Sequence, residues 1–206
     1  MRQARTPARM LHRRQRIVRR GVYLIDRNFL RRPKAYAVQA VLAAITVAIV
    51  MVLQDTVSSI GVTTAVGATA FIVFQMPHSH MARPRRVIGG HLVAVVVGLL
   101  ASLIAHELLG EPYGGSIGVD VIAATALGFT MLGMAMTDTE HPPGAATVVS
   151  LVLRPHPLES GVLILGSAIA LSIIHHYTKR WLINLAHRPA PLVQPHAFPG
   201  SGAPSA

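Results

Sequence analysis

Residues 35–53, AYAVQAVLAAITVAIVMVL, run without a single charged side chain. That length is close to the roughly 20 residues a helix needs to cross about 30 Å of hydrocarbon. Further uncharged runs follow at 56–76, 87–105, 121–137, 142–153 and 160–174. A soluble helical protein would interrupt such runs with polar residues at helical spacing to wet its outer faces, but here apolar or small residues occupy every face. The expected fold is an all-α membrane protein, a polytopic helical bundle with six crossings.

The formal net charge of +11 over 206 residues suits a nucleic-acid binder until it is located. Residues 1–34 hold 12 of the 19 Lys and Arg and one of the 8 acids, so this arm accounts for the whole net charge. Residues 35–206 carry seven of each and sum to zero. Between Leu11 and Arg32, Arg clusters alternate with Ile17, Val18, Val22, Leu24, Ile25, Phe29 and Leu30, a pattern for a helix lying on an anionic leaflet. The absence of Ser from the arm argues against an organelle transit peptide. The domain reading is therefore a basic cytoplasmic arm at 1–34, a transmembrane domain at 35–181 and a disordered Pro/Ala-rich tail at 182–206. With no Cys, disulfide scaffolds, Cys-ligated metals and thiol catalysis are excluded.

Short loops rich in Lys and Arg stay in the cytoplasm. Placing the arm inside puts Arg83, Arg85 and Arg86 inside as well, exports the acidic link with Glu107, Glu111 and Asp120, and returns Lys179, Arg180 and Arg188 to the cytoplasm. Only Arg154 falls outside. The expectation is a bacterial inner (plasma) membrane protein with both termini cytoplasmic and the bilayer as its first partner.

The segment at 142–153 has only about 18 Å of helical rise, little more than half the hydrocarbon thickness. It follows Asp138-Thr-Glu-His-Pro-Pro143, where residues before Pro are pushed to extended dihedrals and Pro suits the first helical position. Irregular backbone survives at membrane depth only when buried in protein or lining a wet cavity. Leu53-Gln-Asp55-Thr56 is similar to Met136-Thr-Asp138-Thr139, and Gly67-Ala-Thr69, leading to Pro77-His78, is similar to Gly144-Ala-Ala-Thr147, leading to Pro155-His156. The chain is thus read as two inverted three-element repeats with discontinuous half-helices. Half-helix N-termini near the membrane midplane would bind an anion through free amides and the macrodipole. The candidate binding residues are Thr64, Gly67, Ala68, Thr69, His141, Pro142, Pro143, Gly144, Ala145 and Thr147. The same small residues also suit close helix packing.

Ionisable groups at membrane depth are costly and mark function. Asp138, Glu140, His141 and His91 are the proton-coupling candidates, with His141 the better carrier and Asp138 the better helix cap or charge partner. His91 either lines the pathway or sits at the membrane interface, and the interface is the expectation. The pairs His78/His80 and His175/His176 lack convergent further ligands, so no metal and no cofactor are assigned. No phosphate loop or HExxH occurs, and no enzyme activity is expected.

The stretch Thr137-Asp-Thr-Glu-His141-Pro142-Pro143-Gly144-Ala145-Ala146-Thr147, with Arg83-Pro-Arg-Arg-Val-Ile-Gly-Gly-His91 and Gly67-Ala68-Thr69-Ala70, resembles the HPP family of integral membrane proteins. The likeness spans roughly residues 20 to 180. It departs from the family pattern at Arg86, where Asn is usual, and at Gly-Ala-Ala after His-Pro-Pro. The family is often credited with four spans, and its chloroplast and cyanobacterial members are associated with nitrite transport. The resemblance implies a transporter or channel for a small monovalent anion, nitrite first. The alternative is a non-transporting membrane module for lipid sensing or partner docking. Small-residue spans also suggest a homo-oligomer, and nucleic acid is not an expected partner.

Overall fold

A computed structural model of the chain describes residues 27–54, 60–110 and 115–185. Among these, seven α-helices and one 3-10 turn are the regular elements: α1 Arg27–Arg31, α2 Pro33–Gln54, α3 Ile60–Gln75, the 3-10 turn His80–Ala82, α4 Pro84–Leu109, α5 Ile117–Thr137, α6 Pro143–Leu153 and α7 Pro157–Thr178. The protein is an all-α polytopic membrane protein. Local chemistry explains the helix boundaries. Pro84, Pro143 and Pro157 open α4, α6 and α7 at positions where a missing N–H costs nothing. Ser116 caps α5 by accepting from the Val119 N–H, and Gly110 ends α4 in the left-handed region at φ 65°.

Six apolar segments become six helices, but they are not equal. Four helices, α2, α4, α5 and α7, are long and apolar enough to cross a membrane. The 16 residues of α3 rise about 24 Å and the 11 of α6 about 16 Å, short of the hydrocarbon thickness. The expectation of six full crossings is corrected to four long helices and two short ones. The half-helix expectation is also corrected in one half. After 138–142, which are not helical, α6 does start afresh at Pro143. In contrast, α3 is already helical from Ile60, so Gly67, Ala68 and Thr69 sit in mid-helix. No Pro or left-handed residue interrupts them, and nothing breaks the ladder there. The repeat's Asp55-Thr56 lies outside the described residues, as do the arm through residue 26 and the tail from residue 186.

Contacts at the helix ends fix the topology. The Gln39 side chain near the start of α2 donates to Phe74 O at the end of α3 and to Ile183 O beyond α7. His175 near the end of α7 bonds Pro77 O, and Arg85 at the start of α4 donates to Thr137 O at the end of α5. The first residues of α2, α4 and α6 and the last residues of α3, α5 and α7 therefore meet at one end, and successive helices alternate in direction. That end gathers Lys34, Arg83, Arg85, Arg86, Lys179 and Arg180 against Asp138 and Glu140, while Glu107, Asp120, Arg154 and Glu159 belong to the other. Residues 182–185, expected in the tail, pack here instead. Leu182 and Leu185 are buried, the Leu185 N–H donates to Gln75 O, and His78 bonds Leu182 O.

Two apolar clusters hold the bundle. Val66, Val73 and Phe74 of α3 pack with Ile164, Ala168 and Leu171 of α7, and Ala94, Ala101 and Ala105 of α4 pack with Ala123 and Ala126 of α5 and with Val148 and Val152 of α6. The outer surface is itself apolar, with Phe71, Leu100, Phe129 and Ile173 all exposed as lipid-facing residues require. The short helix α6 lies close along α4 because glycines remove the intervening side chains. A Cβ on Gly90 would stand 2.6 Å from the His141 Cβ and 2.8 Å from Thr139 O, and one on Gly98 would stand 2.9 Å from the Leu151 Cδ1. Gly67, facing open space, has no atom within 4 Å of such a Cβ.

This contrast predicts that Gly90→Ala displaces the His-Pro-Pro loop and lowers stability by roughly 1–3 kcal/mol, the usual cost of overpacking. Gly67→Ala leaves stability unchanged or slightly higher. Thermal unfolding of the two purified variants in the same detergent checks the difference.

Candidate functional site

Four polar side chains from four segments meet in the interior at the packed junction of α3, α4 and α6. Thr69 comes from α3, His91 from α4, Thr147 from α6 and His141 from the loop before α6; all four are buried. The Thr69 Oγ1 lies 2.8 Å from the His91 Nε2 and 3.1 Å from the His141 Nε2. The His91 Nδ1 lies 2.9 Å from the Thr147 Oγ1, and the His141 Nδ1 lies 3.2 Å from Met81 O on the 3-10 turn. The imidazole rings meet edge to face, 5.1 Å between centroids.

Counting donors and acceptors gives the chain a direction. A carbonyl oxygen only accepts, so the His141 Nδ1 carries a proton and donates to Met81 O. In a neutral ring the His141 Nε2 is then an acceptor, and the Thr69 hydroxyl donates to it. Thr69 in turn accepts from the His91 Nε2–H, and the His91 Nδ1 accepts from the Thr147 hydroxyl. The chain runs from Thr147 through His91, Thr69 and His141 to Met81 O, with every polar atom satisfied. The Thr69 hydroxyl also has a second acceptor in reach, Ala65 O at 2.9 Å. If it turns there, the His141 Nε2 is free to carry a second proton and donate to Thr69, and all bonds are still made. The cluster thus accommodates one added proton by rotating a single hydroxyl.

The candidate residues divide into those brought together and those not. Thr69, His141 and Thr147 converge, with Pro143 and Gly144 buried beside them. His91 is buried at the centre of the network and not at the interface, a correction that follows from its two threonine partners. Thr64 and Ala68 are exposed and Gly67 is half-buried, on faces of α3 turned away from Thr69. Pro142 is exposed and, with Ala145, His141, Glu140, Thr130, Met131 and Met134, lines an open cleft of about 270 Å³ that reaches the cluster at His141. The expected free amides of the α6 start are already used: the Gly144 N–H donates to His141 O and the Ala145 N–H to Pro142 O, while both prolines lack one. The expectation that backbone amides there hold an anion is corrected for that reason. The depth also differs from a midplane site. His91 is seven residues past Pro84, about 10 Å along a helix of about 39 Å.

Asp138 and Glu140, expected with His141 as proton groups, lie instead at the exposed mouth, where both carboxylates bond the guanidinium of Arg86. Asp138 also ends α5 at φ 52° as its C-cap. In the sequence Arg86 stands out as a topological charge and as a departure from the family pattern, but nothing there announces its pairing with two acids. Met81 O is likewise announced by no residue-type pattern. The Gly89-Gly90 pair before His91 was the one signal in the chain for a close approach at that level.

This arrangement predicts that Thr69→Val, which leaves a buried ring N–H without an acceptor, lowers stability by roughly 1–3 kcal/mol. Thr69→Ser retains most of it. The midpoint of thermal unfolding in detergent distinguishes the two variants.

The family description that matches the chain is HPP, transmembrane region, over residues 30–191. A transmembrane protein of Dictyostelium discoideum is 35% identical over 86 residues, covering 42% of this chain and 28% of that protein. A second transmembrane protein of the same organism is 34% identical over 86 residues, 42% of this chain and 25% of its own length. The chain thus spans about a quarter of the length of these relatives. No solved structure matches.

Proposed function

We propose, for a chain that belongs to the HPP transmembrane family, that it carries a small monovalent anion across the membrane, nitrite being the leading candidate, and that it is not an enzyme. The observation that carries this reading is the buried Thr69–His91–Thr147–His141 cluster, the convergence of four hydrogen-bonding side chains inside an apolar bundle. Polar side chains at such depth are costly, and they persist where a pathway needs them.

The donors for the anion are ring N–H and hydroxyl groups, not backbone amides. His141 stands between the cleft, which Glu140 and Pro142 also line, and the interior chain, so it links a solute in the cleft to that chain. A proton taken up on His141 supplies a positive charge of the right sign, and a monovalent anion beside the ring neutralises it, so the loaded site carries no net charge in low dielectric. The rotation of the Thr69 hydroxyl towards Ala65 O lets that proton arrive without orphaning a neighbour. This favours proton-coupled uptake over an open channel. The gathered Arg and Lys residues support a cytoplasmic assignment for that end of the bundle and, with it, cytoplasmic termini in a bacterial plasma membrane. The inverted repeat remains part of the reading: α3 and α6 run in opposite directions, and each delivers one threonine to a different nitrogen of His91.

The test is flux into vesicles holding the purified full chain, with nitrite, nitrate, formate and chloride offered in turn. Nitrite uptake is expected to exceed that of protein-free vesicles by about tenfold or more and to rise when the outside is made acidic. His141→Gln, which keeps one donor and one acceptor, is expected to fold and to lose the pH dependence. Unchanged pH dependence removes His141 from proton transfer. Failure of all four anions to move overturns the transport reading and leaves a membrane module that docks a partner.

A further inference from the structure

The basic end of the bundle carries a second cavity, separate from the histidine cluster and independent of the transport reading. Its volume is about 340 Å³, a size that admits a small ligand, and its walls include Pro77, His78, Arg83, His175, Lys179 and Arg180. Three features set it apart from an ordinary solvated basic surface. First, its cations are not neutralised. Among the described residues Arg86 takes both nearby carboxylates, Asp138 and Glu140, and none of Arg83, Lys179 and Arg180 has an acidic partner. Second, His175 is buried, and its Nε2 bonds Pro77 O at 2.7 Å, while its Nδ1 has no hydrogen-bond partner. Since the carbonyl only accepts, the Nε2 carries the proton and the Nδ1 of the neutral ring is a bare acceptor. Third, the Arg180 guanidinium stacks on the ring of Trp181, 4.1 Å from its centroid, and Trp181 and Tyr177 are both exposed, as aromatics at the headgroup level are.

From these we infer that the cavity formed by the α3–α4 link and the end of α7 binds the phosphodiester headgroup of an anionic lipid that carries free hydroxyls, of the phosphatidylglycerol kind. The charges of Arg83, Lys179 and Arg180 meet the phosphate, and a headgroup hydroxyl supplies the donor that the His175 Nδ1 lacks. A basic pocket between transmembrane helices, at the depth marked by Trp181, sits where lipid phosphates lie. The acyl chains then run along the exposed apolar face of α7, past Ile173, Ile169 and Val162. A choline headgroup keeps the phosphate but sets a fixed cation beside it, which Arg83, Lys179 and Arg180 repel, and has no hydroxyl to offer the His175 acceptor.

The experiment measures binding of short-chain phosphatidylglycerol, short-chain phosphatidylcholine and inorganic phosphate to the purified full chain in an uncharged detergent, by native mass spectrometry. Phosphatidylglycerol is expected to bind about tenfold more tightly than phosphatidylcholine. The triple variant Arg83→Gln, Lys179→Gln, Arg180→Gln is expected to lose that preference. The control Arg31→Gln, Arg32→Gln, Lys34→Gln removes the same charge from the start of the bundle and is expected to keep it. If the triple variant does not purify, Lys179→Gln alone is expected to weaken the preference by about threefold. Equal binding of the two lipids, or equal loss in the control, overturns the assignment. Inorganic phosphate displacing the lipid at equal concentration overturns the lipid in favour of a free phosphate.

Discussion

Inside hydrocarbon a polar group finds its partner within the protein or not at all, and that constraint organises this structure. His91 is the plainest case. Both of its ring nitrogens are buried among apolar helices, and each is met by a threonine, one from α3 and one from α6. The two short helices, neither long enough to span the bilayer alone, are thereby pinned on opposite sides of the same imidazole. The start of α6 is satisfied locally: Pro142 precedes it and Pro143 opens it, and its first N–H groups turn back onto the carbonyls of His141 and Pro142.

Close approach makes the network possible. Gly90 lets the His-Pro-Pro loop press against α4, so that the His141 ring can reach Thr69 on the far helix. The same loop is held from outside by Arg86, whose guanidinium takes both Asp138 and Glu140, and by Arg85 on Thr137 O. Exposed ion pairs of this sort add little stability. Their effect here is positional, since they tie the end of α5 and the start of α6 to the start of α4, one to two turns from the buried rings. The pairing also leaves the mouth near neutral, and the cations without an acidic partner among the described residues gather on the other side of the same end, at Arg83, Lys179 and Arg180.

A directional chain of hydrogen bonds that ends on a carbonyl has a fixed polarity, because the carbonyl cannot donate. That polarity gives the two histidines different roles although their surroundings look alike. His141 borders the open cleft and ends the chain on a carbonyl, whereas both nitrogens of His91 face threonine hydroxyls, each with a second acceptor in reach, Ala65 O and Pro143 O. The transport reading rests on this asymmetry more than on the half-helix dipole, whose amides are occupied.

How much of this was legible in the chain differs by residue. Uncharged runs of helical length determine that the chain is an α-helical membrane protein, because lipid tolerates no other use of such stretches without alternation. Proline placement determined where α6 begins, since the ring both forbids the preceding helix and suits a first turn. The distribution of Arg and Lys determined which links share one end, and the helix contacts agree. What the chain order could not decide is convergence. That Thr69 and Thr147, so far apart in the chain, flank one histidine depends on how helices cross, as does the exile of Asp138 and Glu140 to the surface and the continuity of α3 through Gly67. Ionisable residues adjacent in sequence at 138–141 point to opposite sides of one loop, because a left-handed turn at Asp138 sends the carboxylates to Arg86 while burial draws the imidazole inward. Composition and spacing set the elements; the close packing allowed by glycine, acting across the chain, decided which side chains meet.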